Sequence, residues 1–221
     1  TNLTLITPTL GAAGATSING TIVPTTSGGT TAWIKLGTFT ASNSPSVPFT
    51  GLTTSYTKYV IEYTDVIPVT STGDFQMQFG TGSGPSWETT AYDYAYNFSK
   101  SDNTGGGMGA TNQSTGVLTI SQGNSSGSPS NGNIDIIISG AMSALYDLMY
   151  IDNLGVLIHQ DGCIYRNDGT AITGIQFTYS NGNISSGNFI LYGVLWYRIK
   201  EDQSFSLLFP IYFNARLACF I

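Results

Sequence analysis

Apolar and polar residues alternate along much of this chain, the two-residue period of a strand with one buried face. Tyr59, Ile61 and Tyr63 alternate with Val60, Glu62 and Thr64. Phe75, Met77 and Phe79 alternate with Asp74, Gln76 and Gln78, and Tyr92, Tyr94 and Tyr96 with Asp93, Ala95 and Asn97. Ile134, Ile136 and Ile138 repeat the pattern, with Gly, Pro, Ser or Asn bounding each run. Those residues punctuate hairpins and crossovers. Val117 to Ile120 reads as a further strand between two polar loops, and residues 99–133 as the least structured interior region. Helical periodicity is nearly absent. The single stretch open to either reading is Ala141 to Ile151, which is short and lacks caps. Many short strands with glycine-rich turns predict an all-β chain folded as an antiparallel sandwich, not βαβ units.

Residues 171–193 predict two strands joined by a hairpin. Ile172, Ile175, Phe177 and Tyr179 mark the first, and Phe189 and Leu191 the second. Asn181-Gly182 between them is the dipeptide favoured in a type I′ turn, where both central residues need positive φ. The run closes on Leu191-Tyr192-Gly193. Upstream stand Phe39-Thr40-Ala41-Ser42, Phe49-Thr50-Gly51-Leu52, Lys58-Tyr59-Val60-Ile61-Glu62-Tyr63, Ile67-Pro68 and Phe75-Gln76-Met77-Gln78-Phe79. Together these segments, from about Trp33 to about Trp196, resemble the β-jelly-roll domain of tailed-bacteriophage virion proteins, mainly tail fibres and small capsid or tail appendages. The resemblance implies a jelly-roll sandwich, a structural or host-recognition role and homotrimeric assembly. It specifies no ligand.

Three regions follow from the pattern. Residues 1–32 are uncharged and rich in Thr, Gly and Ala, with Gly11-Ala12-Ala13-Gly14 and Ser27-Gly28-Gly29 as flexible joints. They read as an extended N-terminal arm that docks on a neighbouring subunit, the alternative being an unstructured leader. Residues 33–199 are the sandwich, and residues 200–221 an apolar C-terminal tail beyond the charged break Lys200-Glu201-Asp202. Phe205, Leu207, Leu208, Phe209, Ile211, Tyr212 and Phe213 are too apolar to sit together in water. Pro210 forbids a central strand there, so the tail reads as an edge strand or as a strap across a neighbour. It is too short and interrupted to span a membrane, which needs ~20 apolar residues.

Composition narrows the function classes. Only 9% of the 221 residues are charged, against ~25% in an ordinary soluble domain. A net charge of −6 opposes binding to a phosphate backbone, so no nucleic-acid partner is expected. No basic region followed by an apolar core marks the N-terminus as a secretory signal; the expected location is the virion, after synthesis in the host cytoplasm. Cys163 and Cys219 are too few for a disulfide framework, and their spacing leaves open whether they pair.

Candidate chemistry is sparse. His159 is the single histidine, so a Ser-His-Asp arrangement has one base to draw on, and at a strand end it reads as a surface residue. His159 and Cys163 alone make no zinc site. Glu62, Glu88 and scattered aspartates show no local pattern that singles out a glycosidase pair. Gly105-Gly106-Gly107 lacks the strand, helix and lysine of a phosphate cradle. No cofactor and no metal are expected. The residues suited to recognition are Trp87, Tyr92, Tyr94 and Tyr96, whose faces could take sugars, although alternate tyrosines of a strand also line cores. The reading is a non-enzymatic virion protein, a capsid decoration or fibre that binds other virion proteins and contacts host surface polysaccharide. A free carbohydrate-binding module or glycan hydrolase is the rival.

Overall fold

A computed structural model describes residues 17–18, 21–22, 33–56, 58–137, 142–166 and 169–195. The chain divides into two compact units, Thr1–Ala32 and Trp33–Ile221. In the first, β1 (Ser17–Ile18) and β2 (Thr21–Ile22) pair antiparallel. The tail beyond residue 195 lies outside the described residues.

The second unit holds thirteen strands among the described residues. They are β3 (Trp33–Ser44), β4 (Val47–Thr50), β5 (Lys58–Pro68), β6 (Phe75–Thr81), β7 (Ser86–Trp87), β8 (Tyr92–Lys100), β9 (Gly105–Gln113), β10 (Gly116–Val117), β11 (Ser130–Ile137), β12 (Met142–Ile151), β13 (Leu157–Arg166), β14 (Ile172–Tyr179) and β15 (Ile184–Val194). No helix occurs among the described residues. A large sheet runs β3-β15-β5-β11-β12-β13-β8-β9, and a small one runs β10-β6-β14-β4 with β7 on β6. All pairings are antiparallel.

The alternation read from the sequence decides which side chains fill the space between the sheets. Tyr59, Ile61 and Tyr63 of β5, Phe75, Met77 and Phe79 of β6, and Ile134 and Ile136 of β11 are all buried in one core. Phe75 of the small sheet meets Tyr63 of the large one at 5.4 Å between ring centroids, and Phe177 stacks on Phe189 at 5.4 Å. These contacts weld the two sheets into a sandwich.

Three local expectations need correction, and one open reading is decided. The strands of residues 172–194 form, but β14 lies in the small sheet and β15 in the large one. Residues 180–183 are therefore an arch between sheets and not a hairpin. Gly182 has φ +85°, whereas Asn181 is not among the positive-φ residues, so the type I′ turn is absent. The Ser180 N–H donates to Asp74 O and the Val69 N–H to Asn183 O, which holds the arch across the sandwich end. The open stretch 141–151 is strand from Met142 onward, paired on both sides by β11 and β13. Of Val117 to Ile120, only Val117 belongs to a strand. Finally, the triple-glycine run expected to be loop opens β9: a Cβ on Gly105 would come within 2.9 Å of the Phe98 carbonyl oxygen, so glycine lets this edge close on β8.

Buried phenols make the core sensitive to alkali. Burial raises the pKa of Tyr63, Tyr146 and Tyr179 above the ordinary value near 10, and pushes Tyr150 to about 12. The folded state thus holds the neutral phenol, and its advantage is complete below pH ~10 and is lost as pH rises through the raised values. Titration from pH 9 to 12.5 should show the buried phenols' share of the phenolate absorbance rising together with the loss of the β-sheet dichroism. Ionisation of all tyrosines near pH 10 with the sheet intact would contradict this.

Candidate functional site

The four aromatics singled out in the sequence do not form one platform. Trp87, half-buried on β7, lies in the small sheet opposite Gly80. Tyr92, on β8 of the large sheet, is buried and stacks on Phe79 at 5.9 Å. Its hydroxyl accepts the Phe79 N–H at 2.7 Å and donates to Glu88 O at 3.3 Å. Tyr92 is thus a core residue and offers no face to a ligand.

Tyr96 borders a recess, and Tyr94 stacks behind it without lining it. Their rings stack at 6.3 Å, and Tyr96 meets Phe98 at 6.3 Å, giving β8 a ladder of aromatic faces on the inner side of the large sheet. The far end of that ladder borders a cleft of about 250 Å³, which Tyr96, Phe98, Met108, Tyr150 and Leu154 line. The Lys100 ammonium sits 5.7 Å above the Phe98 ring and 3.8 Å from Asp152, which puts a cation and a carboxylate at the cleft. Gln160 donates to Leu118 O at 2.7 Å and to the Tyr146 hydroxyl at 3.0 Å, fixing the floor. An apolar recess with stacked rings and a few polar groups suits the ring face and hydroxyls of a sugar. Sequence reasoning missed Phe98, Met108 and Tyr150. Phe98 was legible as the next step of the alternation from Tyr92, whereas Met108 is brought over by the glycine edge and Tyr150 by β12.

The outer face of the large sheet carries a second concavity of about 840 Å³. In-register pairing lines up Glu62, Asn133, Asp147, Asp161 and Asn97 across five strands. Asp135 is paired with Lys58 at 2.8 Å and Asp147 with His159 at 3.1 Å. Ser99 stands opposite His159 in register, so the types of a Ser-His-Asp triad lie near one another. The geometry does not assemble one. Among the described residues no hydrogen bond joins Ser99 to the imidazole, and His159 and Asp147 are 51% and 57% exposed, so water competes for the contact that should orient the base.

Of the carboxylates weighed for glycoside cleavage, Asp147 and Asp161 stand directly opposite each other on β12 and β13, while the two glutamates lie elsewhere. Glu62 is exposed on the outer face. Glu88 is held by the Arg166 guanidinium at 3.0 Å and by the Thr81 hydroxyl at 2.5 Å. Among the described residues no group of three His, Cys, Asp or Glu side chains is arranged to hold a metal ion. Comparison with family models, with curated proteins and with solved structures finds no match in any of the three.

Proposed function

We propose that this chain is a non-enzymatic structural protein of a tailed-phage virion. In this reading it is a jelly roll with an N-terminal docking arm, assembled as a homotrimer that decorates the capsid or forms a fibre. It attaches to other virion proteins and touches host surface polysaccharide through the aromatic cleft. The observation that carries the reading is the order of pairings. β3 pairs with β15, β4 with β14, β5 with β11 and β6 with β10. That is one long antiparallel ribbon, outer ends together, rolled so that successive pairs fall in alternate sheets. β7 to β9 and β12 to β13 are then insertions that widen the large sheet. By analogy, double-sheet jelly rolls of this kind serve in viral capsids and lectins.

One edge of the large sheet is open to self-association in this reading. Among the described residues β3 is the outermost strand at one side of the large sheet, 12 residues long and carrying exposed Trp33, Ile34 and Leu36. A long edge with exposed apolar side chains is a surface that proteins cover or pair. The second reading, a free carbohydrate-binding module, is favoured by the cleft alone.

The test is made on particles and on the isolated chain. Mass spectrometry of purified particles should find the chain at a fixed ratio to the shell protein, and light scattering should give a trimer that Leu36→Lys dissociates. Phe98→Ala should weaken binding to a host polysaccharide about tenfold, and no preparation should release sugar ends. A micromolar monomer missing from particles would favour the free module. Digestion abolished by His159→Ala or by loss of one acid would make it an enzyme.

A further inference from the structure

The turn from β12 to β13 leaves one oxygen of a buried carboxylate at the aromatic cleft. Asp152 stands at the start of that turn and lines the cleft, with only 7% of its side chain exposed. Its Oδ1 accepts the Leu154 and Val156 N–H groups, each at 2.9 Å, and Gly155 at φ +83° carries the chain round. Its Oδ2 accepts no hydrogen bond among the described residues. The cation beside it is the Lys100 ammonium at 3.8 Å, well beyond the ~2.7–2.9 Å of a charge-assisted hydrogen bond. A buried carboxylate oxygen without a donor is costly, so a donor brought into the cleft is favoured there.

Lys100 ends β8 in step with Tyr96 and Phe98, and its ammonium donates no hydrogen bond among the described residues either. A hydroxyl is the group that both donates and accepts. One hydroxyl oxygen ~2.8 Å from both charged atoms accepts from the ammonium and donates to the carboxylate, which closes the gap. The pair carries no net charge. It therefore favours a neutral hydroxylated ligand over an acid, which Asp152 repels, or an amine, which Lys100 repels. Ser121 and Asn153 also line the cleft, and among the described residues their side chains make no hydrogen bond. The other walls are apolar: Phe98 is half-buried, and Met108 and Leu154 are 55% and 80% exposed. Size sets the limit. About 250 Å³ is less than the ~300–1,000 Å³ of sites for drug-sized ligands, so the cleft admits one sugar ring and not a run of linked ones.

Granted the polysaccharide contact on which this rests, we propose that the cleft receives a single neutral hexopyranose, a chain end or side branch. One of its hydroxyls bridges Lys100 and Asp152 while its ring lies against Phe98.

The experiment uses the full chain, isotope-labelled at its four methionine methyls. Met108 borders the cleft, Met77 is buried in the core and Met149 is exposed elsewhere. Methyl glycosides of glucose, galactose and mannose are titrated beside glucuronate. At least one neutral glycoside should move the Met108 signal saturably, with a dissociation constant of about 1 mM, the scale for so small a ligand. Met77 and Met149 should stay in place. Asp152→Asn keeps the Oδ1 acceptor of the turn, and Lys100→Leu keeps apolar bulk beside Phe98. Each should weaken that glycoside about tenfold, the scale of one hydrogen bond to a charged group, with an unmoved Met77 signal reporting the fold. Because one hydroxyl serves both groups, the double variant should be little weaker than either single one. Glucuronate moving Met108 where no neutral glycoside does would overturn the proposal in favour of an anion site. No saturable shift with any neutral glycoside, or shifts indifferent to both substitutions, would overturn it as well. Host polysaccharide separates the two levels. Binding lost in Phe98→Ala but intact in Lys100→Leu and Asp152→Asn ends the hexose site alone, whereas binding intact in Phe98→Ala ends the glycan contact with it.

Discussion

Phe75→Ala should remove about 4–5 kcal/mol of folding stability, the upper part of the range for truncating a buried phenylalanine. Phe75 is fully buried at the start of β6. Its ring meets Phe177 and Tyr179 of its own sheet at 5.6 and 5.2 Å, and Tyr63 and Phe189 of the opposite sheet at 5.4 and 6.3 Å. Truncation thus opens a cavity where both sheets touch, and rigid strands on either side cannot collapse into it. Domains of this size are stable by only ~5–15 kcal/mol in total, so the variant should melt roughly 8–20 °C lower. Val69→Ala, at an exposed position, should stay within ~0.5 kcal/mol of the parent. Urea titration of the three proteins measures the difference. A loss below ~1.5 kcal/mol for Phe75→Ala would mean that the sheets are not joined through this ring.

That aromatic junction was legible in the sequence because alternation is a local property. Tyr59, Ile61, Tyr63, Phe75, Met77 and Phe79 each declared a buried face within three or four residues, and all six are buried. What alternation does not carry is which strand pairs with which. Asn181-Gly182 between two apolar runs satisfies a hairpin rule and an arch equally well. The choice between them is made by partners about a hundred residues away, Asp74 beyond Ser180 and Val69 beyond Asn183. The glycines of β9 read as loop because they have no side chain to show a period; their value lies in how closely they let β8 approach. The aromatic cleft was half legible for the same reason. Tyr96 and Phe98 follow one local alternation, whereas Met108 and Tyr150 reach the cleft only through the β8–β9 and β12–β13–β8 pairings.

The longest polar segment shows the same limit and yields the second large effect. Residues 123–132, nearly all Gly, Ser, Asn and Pro, read as adaptable surface, yet the segment is pinned at its start by a buried amide. Gln122 is 0% exposed. Its Nε2 donates to Val66 O at 2.7 Å and to Ser128 O at 3.1 Å, and its Oε1 accepts the Tyr179 hydroxyl at 2.7 Å. Its backbone bridges both Gly73 and Asp152, so one residue ties the loop to both sheets. Gln122→Leu keeps much of the volume but strands two carbonyls and a phenol away from water. At the lower end of ~1–3 kcal/mol for each of the three stranded groups, the expected loss is about 3–5 kcal/mol. Gln122→Glu separates polar loss from packing loss. A carboxylate facing two carbonyls holds its proton more tightly when folded, so the Glu variant's folded pKa lies above the unfolded ~4.3. Its stability relative to the parent should therefore be best below pH ~4, where the acid is neutral in both states, and should fall as pH rises towards 7. Chemical denaturation of both variants at pH 4 and pH 7 measures this. A Glu variant equally stable at both pH values relative to the parent would mean that position 122 is open to water and the loop is not anchored there.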